Sequence, residues 1–115
     1  MRPVTYRFRF PAAGTISLGA ILHGRDVRTG AVVRLPQPGV TIEWNIEWPD
    51  GAVAMTQVQS DGLAVDPRTS AVFYPLTPDR EAQIRAGAPI PYRIRILMSD
   101  GFEFPVLVGD IGMER

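Results

Sequence analysis

The chain has 115 residues, 12 basic and 12 acidic side chains, one histidine and no cysteine. This length makes one domain, residues 1–115, that can bury a core without staples, and the missing cysteines remove disulfides, thiolate nucleophiles and Cys-based zinc sites together. Zero formal net charge leaves no global pull toward nucleic acid or an anionic membrane.

Every basic residue is Arg. A GC-rich genome produces that bias, and so does a contact surface, since Arg is enriched and Lys depleted at interfaces. Met1 and Arg2 lead into an alternating segment rather than an apolar run, so no signal peptide is expected. The longest apolar stretches, such as 105–108, are far too short to span a bilayer.

Period-two alternation is the main signal along the chain. Tyr6, Phe8 and Phe10 alternate with Arg7 and Arg9. Residues 1–12 read either as a first strand or as an N-terminal arm that adds to another chain's sheet. Weaker strands are expected at 15–22 and 31–35, with loops at 28–30 and 36–39. Val40, Ile42, Trp44, Ile46 and Trp48 alternate with Thr41, Glu43, Asn45 and Glu47, giving one buried and one wetter face. Pro49-Asp50-Gly51 then forms a hairpin turn: Pro presets φ, Asp accepts hydrogen bonds, and Gly tolerates positive φ. Further strands are expected at 53–58 and 71–74, separated by turns at Asp61-Gly62 and Asp66-Pro67.

Thr77 is a helix N-cap, Pro78 suits the first helical position, and Asp79 and Glu81 favour the positive end. Gly87 ends this helix of one or two turns, which docks through Leu76, Ala82 and Ile84. Tyr92, Ile94, Ile96 and Met98 alternate with Arg93 and Arg95. Ser99-Asp100-Gly101 closes a second hairpin, and Phe102, Phe104, Val106 and Val108 share a face opposite Glu103 and Pro105. Proline cannot donate to a ladder, so the Pro105 strand is an edge or is bulged there. Gly109 and Gly112 read as a flexible or tightly turning end. Many short strands split by turns give an all-β sandwich or barrel.

Candidates for chemistry are sparse. His23 is the only histidine, without a second one for a metal site, and reads as a loop residue. Asp50, Asp61, Asp66 and Asp100 sit at turns, without the oxygen density of a calcium loop. No phosphate-binding or nucleophile-elbow pattern occurs. No enzyme activity, metal or cofactor is expected. The contact candidates are Tyr6, Arg7 and Arg9 on the arm, Pro105 on an edge, Arg93 and Arg95 on one strand face, and Trp48 at a strand end. Trp48 reads as a core cap or as an exposed anchor that stacks on a partner or a sugar. If the strands of Glu43 and Arg95 are neighbours, exposed cross-strand ion pairs follow.

One ordered string of features carries a resemblance. It runs through Gly39-Val40-Thr41-Ile42-Glu43-Trp44, Pro49-Asp50-Gly51-Ala52-Val53, Ser60-Asp61-Gly62-Leu63-Ala64-Val65-Asp66-Pro67, Leu76-Thr77-Pro78-Asp79, Pro91-Tyr92-Arg93-Ile94 and Ser99-Asp100-Gly101. From residue 40 to 109 the chain resembles small phage and prophage virion proteins, including those of gene transfer agents, with an immunoglobulin-like β-sandwich. Residues 1–39 match no such pattern. The resemblance implies an all-β, immunoglobulin-like sandwich of about seven or eight strands with one short helix. It implies a structural or adaptor component of a phage-like particle at a tail, baseplate, neck or head surface, assembled in the bacterial cytoplasm. Its partners would be other virion proteins, in a homo-oligomer or hetero-complex, with neither nucleic acid nor membrane. The alternative is a β-sandwich module that binds carbohydrate or a host surface.

Overall fold

The alternating segments become strands because each has one apolar face to bury. The computed structural model describes residues 3–22, 24–25, 32–33, 40–51, 53–57, 62–66, 68–98, 101 and 103–114. His23, Asp61, Pro67, Ser99, Asp100 and Phe102, with the loops expected at 28–30 and 36–39, lie outside them. In chain order the elements are β1 (Val4–Thr5), β2 (Phe8–Phe10), β3 (Leu18–Ile21), β4 (Gly24–Arg25), β5 (Val32–Val33), β6 (Val40–Glu47) and β7 (Val53–Gln57). There follow β8 (Ala64–Asp66), β9 (Ala71–Tyr74), α1 (Pro78–Ala86), β10 (Ile90–Met98) and β11 (Glu103–Met113).

The large sheet has the order β1-β11-β10-β6-β7, with β2 also pairing β11; the small sheet is β3-β9-β8. β1 and β2 run parallel to β11 as two halves of one strand, while the other pairings in both sheets are antiparallel. Counting the halves as one, the sandwich has eight strands among the described residues. This is an all-β, immunoglobulin-like sandwich with a single short helix among the described residues. β7, β6, β10 and β11 take the places of C′, C, F and G, and β3, β9 and β8 those of B, E and D. β4 and β5 form a separate two-residue ladder in the long connection between β3 and β6.

The core lies between the sheets. Trp44 on β6 is fully buried, with ring centroids of Phe8, Tyr74 and Tyr92 at 5.9, 5.7 and 6.1 Å. Tyr74 comes from the small sheet, so this cluster joins the two layers. Ile94, the register partner of Trp44, packs where antibody domains place a disulfide beside their strand-C tryptophan.

Both hairpins form. The Gly51 N–H donates to the Trp48 carbonyl at 3.0 Å and the Gly101 N–H to the Met98 carbonyl at 3.0 Å, each glycine at positive φ. The helix has nine residues, about two and a half turns, longer than expected. Thr77 Oγ1 accepts from the Arg80 N–H at 3.3 Å. Gly87 ends the helix with φ −129°, an extended conformation rather than a left-handed cap. Ile84 is buried, Leu76 half-buried and Ala82 exposed. Ala82 and Ile84 are about 200° apart around the axis, so they cannot share the docking face.

The last strand departs most from expectation. Ile94 pairs with Leu107, but Arg95 pairs with Pro105, leaving Val106 as an extra residue. That is a β-bulge beside the proline, one of the two outcomes a missing donor allows. The bulge turns over the face pattern: register sets position 104 opposite Ile96, whereas Val108 stands opposite Arg93 on the outer side. The expected common face of Phe104 and Val108 is therefore broken. β11 continues to Met113, so Gly109 and Gly112 belong to a strand, not to a turning end.

Candidate interaction surfaces

Of the two readings of the N-terminal segment, the first strand is the one that forms: residues 4–10 dock on their own chain. The Tyr6 N–H donates to the Val108 carbonyl at 2.9 Å, and Glu114 N–H to the Phe10 carbonyl at 2.8 Å. Phe8 enters the core. Between the two halves the backbone crosses very close over β11: a Cβ on Gly109 would meet the Tyr6 carbonyl oxygen at 1.9 Å. The Tyr92 hydroxyl donates to that same oxygen at 2.8 Å. Burial, with smaller effects from the charges of Tyr6 and Asp110, pushes the Tyr92 phenol up to about 12. The residues that ride on this edge are open to solvent, with Val4 63% and Tyr6 53% exposed.

The other contact candidates divide. Arg7 and Arg93 are exposed. Arg9 is half-buried and engaged, 2.6 Å from Asp110 Oδ1 and donating to the Phe8 carbonyl at 2.8 Å. Arg95 forms an ion pair with Glu43, its register partner. The strands are neighbours as the cross-strand pair requires, but Glu43 is only 3% exposed, so the pair is not the solvated one expected. Pro105 lies at the bulge, two residues before β1 begins to cover β11 at Leu107. From Leu107 onward β11 is an interior strand, and the exposed edge is β1.

Trp48 takes the core-cap reading and not that of an exposed anchor. It is 3% exposed, with the Arg80 guanidinium 4.7 Å from the ring centroid and the Tyr74 ring at 6.3 Å. Arg80 is held there by Asp50 Oδ2 at 2.9 Å. The helix thus closes a cation–π lid over the indole, which leaves no face for a sugar or a partner to stack on.

Two surfaces emerge that the sequence pattern did not single out. On the outer face of the small sheet, Phe73 is 43% and Ile21 60% exposed. Register sets Gly19, Phe73 and Ala64 in one cross-strand row and Ile21, Ala71 and Asp66 in the next. The run Ala71-Val72-Phe73-Tyr74 lacks alternation, and that is its signal: both faces of β9 are apolar, as in strands covered on both sides. The second surface is a groove of about 390 Å³ on the outer face of the large sheet, lined by Asn45, Glu47, Pro91, Tyr92, Arg93 and Val108. Val108 reaches it only because of the bulge.

A larger cavity of about 650 Å³ lies between Arg9, Arg85, Gly87, Pro89, Met113 and Glu114. Its arginines are occupied, Arg85 by the Ala12 carbonyl at 2.9 Å and Glu81 at 3.2 Å, and Arg9 by Asp110. Among the described residues no cluster of three His, Cys, Asp or Glu side chains could hold a metal ion. Asp50 Oδ2 holds Arg80 on the helix at 2.9 Å, and Asp66 serves its turn, its Oδ1 accepting from the Arg68 N–H at 2.9 Å. No helix among the described residues is long and apolar enough to cross a membrane.

No protein-family model matches this chain, and no curated protein sequence does.

Proposed function

We propose that this domain works by protein–protein contact, as a structural or adaptor component of a phage-like particle. The observation that carries contact is the outer face of β3-β9-β8, where Phe73 and Ile21 stand exposed on neighbouring strands around small residues. Large apolar side chains grouped on one face favour a protein partner, because covering them removes apolar area from water. The β1 edge, unpaired on its outer side among the described residues and followed by the exposed Tyr6, offers a partner backbone groups for strand addition. The particle setting rests on the resemblance of residues 40–109 to small virion proteins, and the partner is accordingly another virion protein or a second copy.

The reading is tested by sedimentation velocity and co-purification of the wild-type chain against Phe73→Glu and Ile21→Glu. An oligomer or a virion-protein complex that both substitutions dissolve, with unchanged circular dichroism, is the expected result. A strict monomer at every concentration, with no virion protein co-purifying, sinks it. Capsid, portal and tail genes beside the coding gene would support the particle setting, and their absence would count against it.

A further inference from the structure

We infer that the groove over Asn45 is a binding site for an extended peptide segment carrying an acidic and a basic residue two positions apart. The inference rests on the contact reading, narrowing it to one site and one ligand chemistry.

Asn45 points away from Trp44, onto the outer face of the large sheet. That face has no covering layer of its own among the described residues, yet Asn45 is only 8% exposed. Its amide has no hydrogen-bond partner among the described residues, although it lines the groove. Neither atom of that amide is sealed from solvent, so both face the groove with no protein partner among the described residues. A side-chain amide offers one carbonyl and one NH₂, which matches the N–H and C=O of a peptide group. This favours a backbone over a simple ion.

The charges around it set the ligand's side chains. Arg93 is the register partner of Asn45 on β10 and is exposed, without an ion-pair partner among the described residues. Its planar guanidinium suits a carboxylate. Glu47 lies two residues beyond Asn45 on the same face, about 7 Å along the strand. It too is exposed and lacks a cation partner among the described residues. An extended segment lying along β6 repeats its own faces every two residues, at the same spacing. An acidic residue over Arg93 then places a basic residue over Glu47, while Pro91 and Val108 provide apolar floor. The carboxylate of Glu47 works against a polyanion, so nucleic acid and phosphate fit poorly.

The test uses the full chain, ¹⁵N-labelled, titrated with the blocked peptide acetyl-Thr-Asp-Thr-Arg-Thr-amide. Two controls replace the charged pair by Asp and Asp, or by Arg and Arg. The expected result is a saturable shift of the Asn45 side-chain amide, with at least about tenfold weaker binding of both controls. Arg93→Glu should lose the mixed-charge peptide and gain the Arg-Thr-Arg one, a reversal that a merely structural role would not produce. Asn45→Val should weaken binding with unchanged circular dichroism. No shift at Asn45 at millimolar peptide, or equal binding of all three peptides, overturns the inference. A chain that self-associates through Phe73 but ignores the peptides would overturn the groove and leave the contact reading standing.

Discussion

Tyr92 shows how one side chain ties the terminus to the core. Its ring packs against Phe8, with centroids 5.1 Å apart, and its hydroxyl holds the Tyr6 carbonyl. The phenol titrates near 12 rather than at its ordinary value of 10.0, because burial disfavours the phenolate. The unfolded chain therefore releases this proton first as pH rises. The stability contributed is fully present below pH 10 and is lost between about pH 10 and 12, amounting to about 2 kcal/mol. Urea denaturation across that range should show the loss, and Tyr92→Phe should flatten it. At neutral pH the same substitution should cost about 1 kcal/mol and speed amide exchange at Tyr6, whose N–H bonds Val108. Glu43 belongs to the same scale. Its place opposite Arg95 followed from strand order, but its burial did not, because local alternation assigns it to a wet face.

Strand β11 is the element on which most departures from expectation converge. Pro105 forces the bulge, the bulge delivers Val108 to the groove, and Gly109 leaves room for the arm to cross. A methyl group at Gly109 would overlap the Tyr6 carbonyl, and β11 is fixed on its other side by β10. The arm must therefore move. Gly109→Ala should destabilise the domain by about 1–3 kcal/mol, with loss of exchange protection confined first to residues 4–6. A stability equal to wild type, with β1 still protected, would contradict this geometry. The sequence showed Pro105 as a break in a ladder, and either an edge or a bulge satisfies that condition. Here both conditions meet at Pro105: the ladder to β10 is bulged there, and β1 covers the other side only from Leu107 onward among the described residues. The glycines looked like a loose end because Gly is usually a turn residue, whereas a close backbone approach is a tertiary fact.

At the scale of the whole molecule the two proposed contact surfaces lie on opposite sides of the sandwich. Phe73 points out from the small sheet and Asn45 from the large one, with two sheets about 10 Å apart between them. They share no side-chain partner. Asn45→Val and Phe73→Glu should therefore add in stability within about 0.5 kcal/mol, checked by chemical denaturation of the two single variants and the double variant. The double variant should lose both self-association and peptide binding, and each single variant only one. Strong coupling between the sites would mean that the sandwich does not separate them as the fold implies.

Alternation, turn chemistry and capping by themselves determined the β class, both hairpins, the helix start at Thr77 and the core role of Trp44. These follow from bonds and periodicities within a few residues of each other. The tertiary structure alone decided the rest. It buried Trp48, because a helix 30 residues away lays Arg80 on its ring. It exposed Phe73, because the small sheet carries no layer on its outer side among the described residues. It brought Asn45, Arg93 and Val108 into one groove, because β6 meets the distant β10–β11 hairpin there and a bulge sets the last residue's face. Local sequence specifies which backbone a segment prefers, while which face is covered depends on elements the segment meets only after folding.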